Sequence, residues 1–169
     1  LLGGITLIAS DDPCCIRSQL PVPDNLWFAL VTPDVAVPTV EARAVLPESV
    51  PLKTMEARTA AIARLVDALH RGDIREIGIA MEDDHVIEPA RKHLMPYLEE
   101  VRMVVHSMPG GCGLVISGAG PTLCAVCEGE ANAQATAGAM GRVYADAGIQ
   151  ATARHTQVDE QGARVIAQV

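Results

Sequence analysis

The sequence lacks a hydrophobic run of the ~20 residues that a helix needs to cross a bilayer, and it shows no signal peptide. It also lacks a surplus of basic residues, since its net charge is −8 and its pI is about 5.0. A surface of this sign attracts neither nucleic acid nor an anionic membrane. We therefore expect no nucleic-acid partner and no membrane partner.

The sequence has five cysteines, an odd number in a chain without a secretory signal. This usage favours a reducing compartment, and we expect a cytoplasmic protein. Cys124 and Cys127 have the C-x-x-C spacing of redox and zinc motifs. Residues three apart on a strand point to opposite faces, however, so the two sulfurs would diverge. We expect both to be unpaired core thiols that bind no metal.

The acidic segment 82–85, with Glu88 and His93 nearby, contains residue types that could bind a metal. Its spacing defines no ligand geometry, and charge runs of this kind are usually solvated. We interpret the segment as a solvated acidic face and expect no metal site.

The chain of 169 residues, 49% of them hydrophobic, is long enough for one sizeable core. From Leu26 the predicted elements follow the order strand, helices, strand, strand, helix, strand. That order predicts an α+β fold with a ferredoxin-like split βαβ sheet and an enlarged helical insertion of about 80 residues. The strands are predicted at residues 26–31, 114–117, 123–126 and 149–153, with the helices on one face of the sheet.

The remaining pattern predicts four helices and two minor strands. Helices are expected over residues 53–70, from Asp73 onward, over 96–108 and over 131–147. A short strand is predicted over residues 4–9, a loop or crossover over 10–25, and a further edge strand over 163–169.

A glycine-rich turn divides the segment 113–126, which reads GLVISGAGPTLCAV. Ser117, Gly118, Ala119 and Gly120 form this turn between two apolar runs. Both glycines can adopt positive φ, and successive N–H groups in such a turn form a concavity that suits an anion. The turn alone is equally compatible with a tight hairpin that binds nothing.

Two arginine motifs follow the first buried strand. Thr39 and Arg43 are one helical turn apart, and Arg91 lies 48 residues after Arg43 in the sequence Glu88-Pro-Ala-Arg91. A planar guanidinium binds a carboxylate bidentately, so two converging arginines would clamp the carboxylate of an amino acid, with their guanidinium groups within ~10 Å of each other. The spacing alone also allows two solvated surface arginines.

The glycine-rich segment resembles the third conserved motif of the GHMP small-molecule kinases. The segments Thr39…Arg43 and Glu88…Arg91 are similar to those that hold the substrate carboxylate in the homoserine kinase branch of that family. The resemblance implies a GHMP kinase C-terminal domain over residues 26–169, with residues 1–25 as the end of the N-terminal half and the crossover. It further implies ATP-dependent phosphorylation of L-homoserine to O-phospho-L-homoserine in threonine biosynthesis, with Thr39, Arg43 and Arg91 as substrate-binding residues.

The phosphate-binding segment P-x-x-x-G-L-G-S-S-A of these kinases does not occur among the 169 residues. The resemblance therefore implies that ATP and Mg²⁺ are bound mainly by an N-terminal half. Since the sequence opens at Leu1, we expect a fragment that has no catalytic residue of its own and is inactive alone, in a protein that can form a homodimer. Two alternatives remain open: another GHMP kinase, acting on a sugar, mevalonate or an isoprenoid precursor, and a non-catalytic amino-acid-binding domain.

Overall fold

The computed structural model describes residues 3–8 and 17–166, and its first sheet has two strands. Strand β1 (Ile5–Ile8) pairs antiparallel with β2 (Arg17–Leu20). The early strand predicted over residues 4–9 begins one residue later than predicted, at Ile5, and continues to Ile8, while residue 9 lies outside the described residues. The loop predicted over residues 10–25 is wrong at β2, because Leu20 is only 9% exposed and packs in the core.

The second sheet is formed by β3 (Leu26–Pro33), β4 (Gly111–Ile116), β5 (Leu123–Glu128) and β6 (Ala151–Thr156). Its spatial order is β4-β5-β3-β6, and all neighbours are antiparallel. This order confirms the ferredoxin-like split βαβ fold. The last strand begins two residues later than predicted, because the N–H of Ile149 donates to Tyr144 O at 2.9 Å in the preceding turn.

Five helices connect β3 to β4 and account for the enlarged insertion. They are α1 (Thr39–Ala44), α2 (Leu52–Arg71), α3 (Ile74–Glu82), α4 (Ile87–Arg91) and, after a short 3₁₀ turn (Lys92–Leu94), α5 (Leu98–Ser107). A sixth, α6 (Glu130–Asp146), connects β5 to β6. The predicted capping at Asp73 is present, since its side chain accepts the N–H of Glu76 at 3.0 Å.

The helices cover both faces of the larger sheet, so the prediction of a single covered face is wrong. Helices α5 and α6 pack on the face that carries Ala29 and Ala125. Helices α2 and α3 pack on the opposite face, which carries Leu26 and Val126. The physical reason is the continuous apolar run in β3, because such a strand needs cover on both sides.

The predicted edge strand over residues 163–169 is not formed by residues 163–166, and residues 167–169 lie outside the described part of the chain. Among the described residues, no helix combines the length and the apolarity needed to cross a membrane.

Strand β5 carries both residues of the C-x-x-C motif. Cys127 lies in the core beneath α5 and α6, whereas strand alternation places Cys124 on the opposite face with Val126. Burial raises the pKa of Cys124 to about 12 and the pKa of Cys127 to about 11. The thiolate, which is the form that attacks electrophiles and binds metals, is therefore scarce at neutral pH.

We expect Cys124 and Cys127 to resist alkylation by iodoacetamide at pH 7 in the folded protein and to react once it is unfolded in urea. Peptide mass mapping of the two samples measures this difference, with the unfolded sample as the control. Elemental analysis of the folded protein should find no stoichiometric zinc. Rapid labelling of both thiols in the folded state, or one zinc per chain, would contradict the assignment as core thiols.

Candidate functional site

The glycine-rich turn connects β4 to β5, as the sequence predicted. Gly118 has φ +62° and Gly120 has φ +88°. At these positive φ values the backbone of any residue other than glycine is strained. The N–H of Ser117 donates to Thr122 O at 2.8 Å, and the N–H of Gly120 donates to Ser117 O at 3.1 Å. A Cβ at Gly120 would also meet the end of the flexible Met95 side chain, which would have to shift, so the positive φ is the stronger reason for glycine there.

The outer side of this turn carries two backbone donors. Within residues 3–8 and 17–166, the N–H groups of Gly118 and Ala119 donate to no acceptor. Neighbouring free N–H groups suit an anion. Because β5 rather than a helix follows the turn, these donors have no helix dipole behind them.

A hydroxyl pair fixes the turn to the central strand. The Oγ1 atoms of Thr32 in β3 and Thr122 in the turn are 2.9 Å apart. Since β3 leads into α1, this bond sets the position of the turn relative to the first arginine motif.

Arg91, the last residue of α4, connects the three motifs that the sequence indicated. Its Nε donates to Ala42 O in α1 at 2.8 Å, and its Nη1 donates to Gly118 O in the turn at 2.9 Å. A guanidinium has five N–H donors, so three remain for a ligand. The two backbone bonds orient the side chain before any ligand binds.

Helix α1 contains Thr39 and Arg43 at the helical spacing that the sequence indicated. Both side chains are exposed, and among the described residues Arg43 has no carboxylate partner for an ion pair. Its backbone neighbour Ala42 is the residue that Arg91 contacts. The structure therefore brings Arg91 to the helix that carries Arg43 and leaves the Arg43 side chain available.

A cavity of about 260 Å³ adjoins Arg91 and Gly118. The apolar part of its lining comes from α2, α3, α4 and the end of β4, and includes Ala61, Ile62, Leu65, Met81, Ile87, Val115 and Ile116. An ion pair at its rim joins Arg58 to Asp84, with Nη1 and Oδ1 3.3 Å apart. Thr39 and Arg43 do not line this cavity, so Arg91 lies between it and α1.

The interpretation of segment 82–85 as a solvated face holds for His85, which is exposed, but is wrong for Glu82, Asp84 and the neighbouring Glu88. The side chains of Glu82 and Glu88 are only 19% and 18% exposed, and both form ion pairs with Arg102 of α5. Asp84 accepts the N–H groups of Val86, Ile87 and Glu88 at 2.9, 2.9 and 3.2 Å, so it caps α4. Among the described residues, no group of three His, Cys, Asp or Glu side chains could hold a metal ion.

Arg102 is the residue of this region that sequence reasoning missed. It lies 14 residues after Glu88 and 20 after Glu82, on a different helix from either. No pattern within a single helix or strand therefore joins the three residues. Burial raises the pKa of Glu88, and the charge of Arg102 acts in the opposite direction. Glu88 thus depends on Arg102 for its charged state.

The chain matches the family described as GHMP kinases C terminal over residues 65–146. It is 33% identical to a homoserine kinase of Arabidopsis thaliana over 168 residues, which are 98% of this chain and 45% of that protein. It is 39% identical to a homoserine kinase of Pyrococcus horikoshii over 126 residues, 75% of this chain and 41% of that protein. The crystal structure of homoserine kinase from Cytophaga hutchinsonii matches with a TM-score of 0.89 and 34% identity, over 95% of this chain and 50% of that chain.

The split βαβ sheet and the glycine-rich turn have the fold of a GHMP kinase C-terminal domain, and the matched family segment, residues 65–146, lies within it. Among the proteins with this domain, the chain is similar to homoserine kinases. The chain spans about half the length of the curated relatives it matches.

Proposed function

We propose that this chain is part of a homoserine kinase and supplies the binding site for the substrate carboxylate. The whole protein would transfer the γ-phosphate of ATP to the side-chain hydroxyl of L-homoserine and form O-phospho-L-homoserine for threonine biosynthesis. One observation carries the proposal: Arg91 contacts both Ala42 O, next to Arg43, and Gly118 O in the glycine-rich turn. The similarity to homoserine kinases supports the same substrate.

In this proposal Arg91 and Arg43 bind the carboxylate from two sides. Arg91 is held by two backbone carbonyls and offers its remaining N–H groups in a fixed plane. Arg43 is exposed on α1 and closes on the same anion, while Thr39, one turn earlier, lines the acceptor side. A clamp of this kind selects amino-acid substrates over sugars and isoprenoid alcohols that lack a carboxylate.

The described residues do not fit ATP and Mg²⁺ by themselves. The turn of Ser117, Gly118, Ala119 and Gly120 offers backbone donors near phosphates but has no helix N-terminus behind it. We therefore assign ATP and Mg²⁺ mainly to an N-terminal half. Residues 1–25 would be the end of that half and the crossover, and residues 26–169 the C-terminal domain.

We further propose that the protein is cytoplasmic and forms a homodimer. We also propose that these 169 residues are inactive when they are isolated.

The full-length protein is expected to phosphorylate L-homoserine with ATP and Mg²⁺, as measured by coupled ADP release and by ³¹P NMR of the product. L-homoserinol, in which an alcohol replaces the carboxylate, should react with a kcat/KM lower by at least about 10- to 150-fold, the value of one lost charged pair, because both arginines lose their partner. Preference for mevalonate or galactose would indicate another GHMP kinase. Amino-acid binding without ADP release would indicate a non-catalytic domain, and either result would contradict the proposal.

A further inference from the structure

Arg102 connects α4 to three neighbouring elements, α3, α5 and β4. From α5, its guanidinium pairs with Glu82 at the end of α3 and with Glu88 of α4. Its Nη1 also donates to Leu114 O of β4 at 3.0 Å, and its Nε lies 3.4 Å from Glu99 Oε2 in its own helix. The side chain is only 16% exposed, so water screens these contacts weakly.

Helix α4 has few other attachments. It contains five residues, none of which is buried, so hydrophobic packing alone does not fix it. Its N-terminal end is capped by Asp84, its C-terminal end is held by the two bonds of Arg91, and Glu88 links its middle to Arg102. Of these links, only the one to Arg102 leads to the packed core helix α5.

Removal of the Arg102 charge would leave Glu88 and Glu82 together without their shared partner. Both carboxylates are mostly buried, and each raises the electrostatic cost of the other. The least costly response is for the short helix to move Glu88 toward water. Arg91 lies three residues after Glu88 on this helix and would move with it.

On these observations we infer that Arg102 is a positioning residue for the substrate carboxylate: it acts through Glu88 to hold α4, and thereby Arg91, in place. The inference rests on the proposed function, because Arg91 must bind the substrate for its position to matter. Arg102 itself does not contact the proposed ligand.

In the full-length protein, Arg102→Gln is expected to raise the KM for L-homoserine about tenfold and to change the KM for ATP by less than about twofold. The effect should disappear when Arg91 is absent, so R91A/R102Q should have the same KM as R91A. Glu88→Gln weakens the same link from the other side, since it removes the charge that attracts Arg102 but keeps a hydrogen-bond acceptor, and should raise the KM for homoserine in the same direction by a smaller factor. It also provides the test if Arg102→Gln fails to fold.

Arg71→Gln is the matched control. Arg71 also bridges two carboxylates, those of Asp67 and Asp73, but it is 53% exposed and touches no part of α4. It should leave both KM values unchanged. If Arg102 had a purely structural role, the effect of R102Q would add in full to that of R91A. This additivity would contradict the inference but not the proposed function. An unchanged KM for homoserine in both R102Q and E88Q would have the same meaning. An unchanged KM for homoserine in R91A would instead overturn the proposed function and the inference together.

Discussion

Replacing Arg91 with alanine is expected to raise the KM of the full-length protein for L-homoserine about 10- to 150-fold, and to change the KM for ATP far less. The range corresponds to a lost charge-assisted pair of about 1.5–3 kcal/mol. Steady-state kinetics with each substrate varied in turn measures the split. The KM for homoserine should respond because Arg91 retains three N–H donors for a carboxylate.

Arg43→Ala separates the loss of a ligand contact from local damage. Arg91→Ala also removes the bonds to Ala42 O and Gly118 O, whereas Arg43 forms no ion pair among the described residues. Arg43→Ala should therefore raise the KM for homoserine in the same range with no change in the melting temperature. If neither variant alters this KM, the two arginines do not bind the substrate, and the chain keeps only its assignment as a GHMP kinase C-terminal domain.

Replacing Gly78 with alanine is expected to destabilise the fold by about 1–3 kcal/mol, the usual cost of overpacking a core. Gly78 lies in α3 where the helix meets β4, and an added Cβ would collide with the backbone of Cys112. A neighbouring strand cannot rotate away as a side chain can, so the whole helix must shift. Thermal unfolding measures the resulting drop in melting temperature.

Gly138→Ala is the matched control, since Gly138 is also inside a helix. It is exposed on α6, and an added Cβ would meet only Arg142 Nη1, at an ordinary contact distance of 3.8 Å. This substitution should stabilise the protein by about 0.5–1 kcal/mol, because alanine favours helix over glycine. A similar response of the two variants would show that helix propensity, rather than the contact between α3 and β4, dominates at Gly78.

The fold was largely predictable because its strands are marked by patterns within single segments. The apolar run of β3 and the glycine-rich turn before β5 each identify their elements locally. Strand β2 could not be found in this way, since its four residues, RSQL, are polar apart from Leu20 and form a strand only through pairing with β1. The formation of β2 depends on its hydrogen-bonded pairing with β1 rather than on the strand propensity of its own residues.

The same limit applies to the candidate site. The types and spacing of Thr39, Arg43 and Arg91 indicated carboxylate chemistry, and α1 has the helical form that this required. The helix around Arg91 was not predicted, because its proline indicated a loop. The carbonyl contacts of Arg91 could not be predicted, because backbone oxygens carry no sequence signal. The burial of Glu88 against Arg102 was also invisible, since it depends on how α4 and α5 pack.

The bond from Arg91 to Gly118 O has a thermodynamic consequence for how each substrate affects the binding of the other. The same guanidinium that would hold a carboxylate also holds the glycine-rich turn, and Thr122 ties that turn to β3. Under the proposed function, homoserine that immobilises Arg91 would also immobilise the turn beside the nucleotide. Free-energy linkage is reciprocal, so ATP would tighten homoserine binding by the same factor by which homoserine tightens ATP binding. One hydrogen bond would thus make the two substrates cooperative ligands.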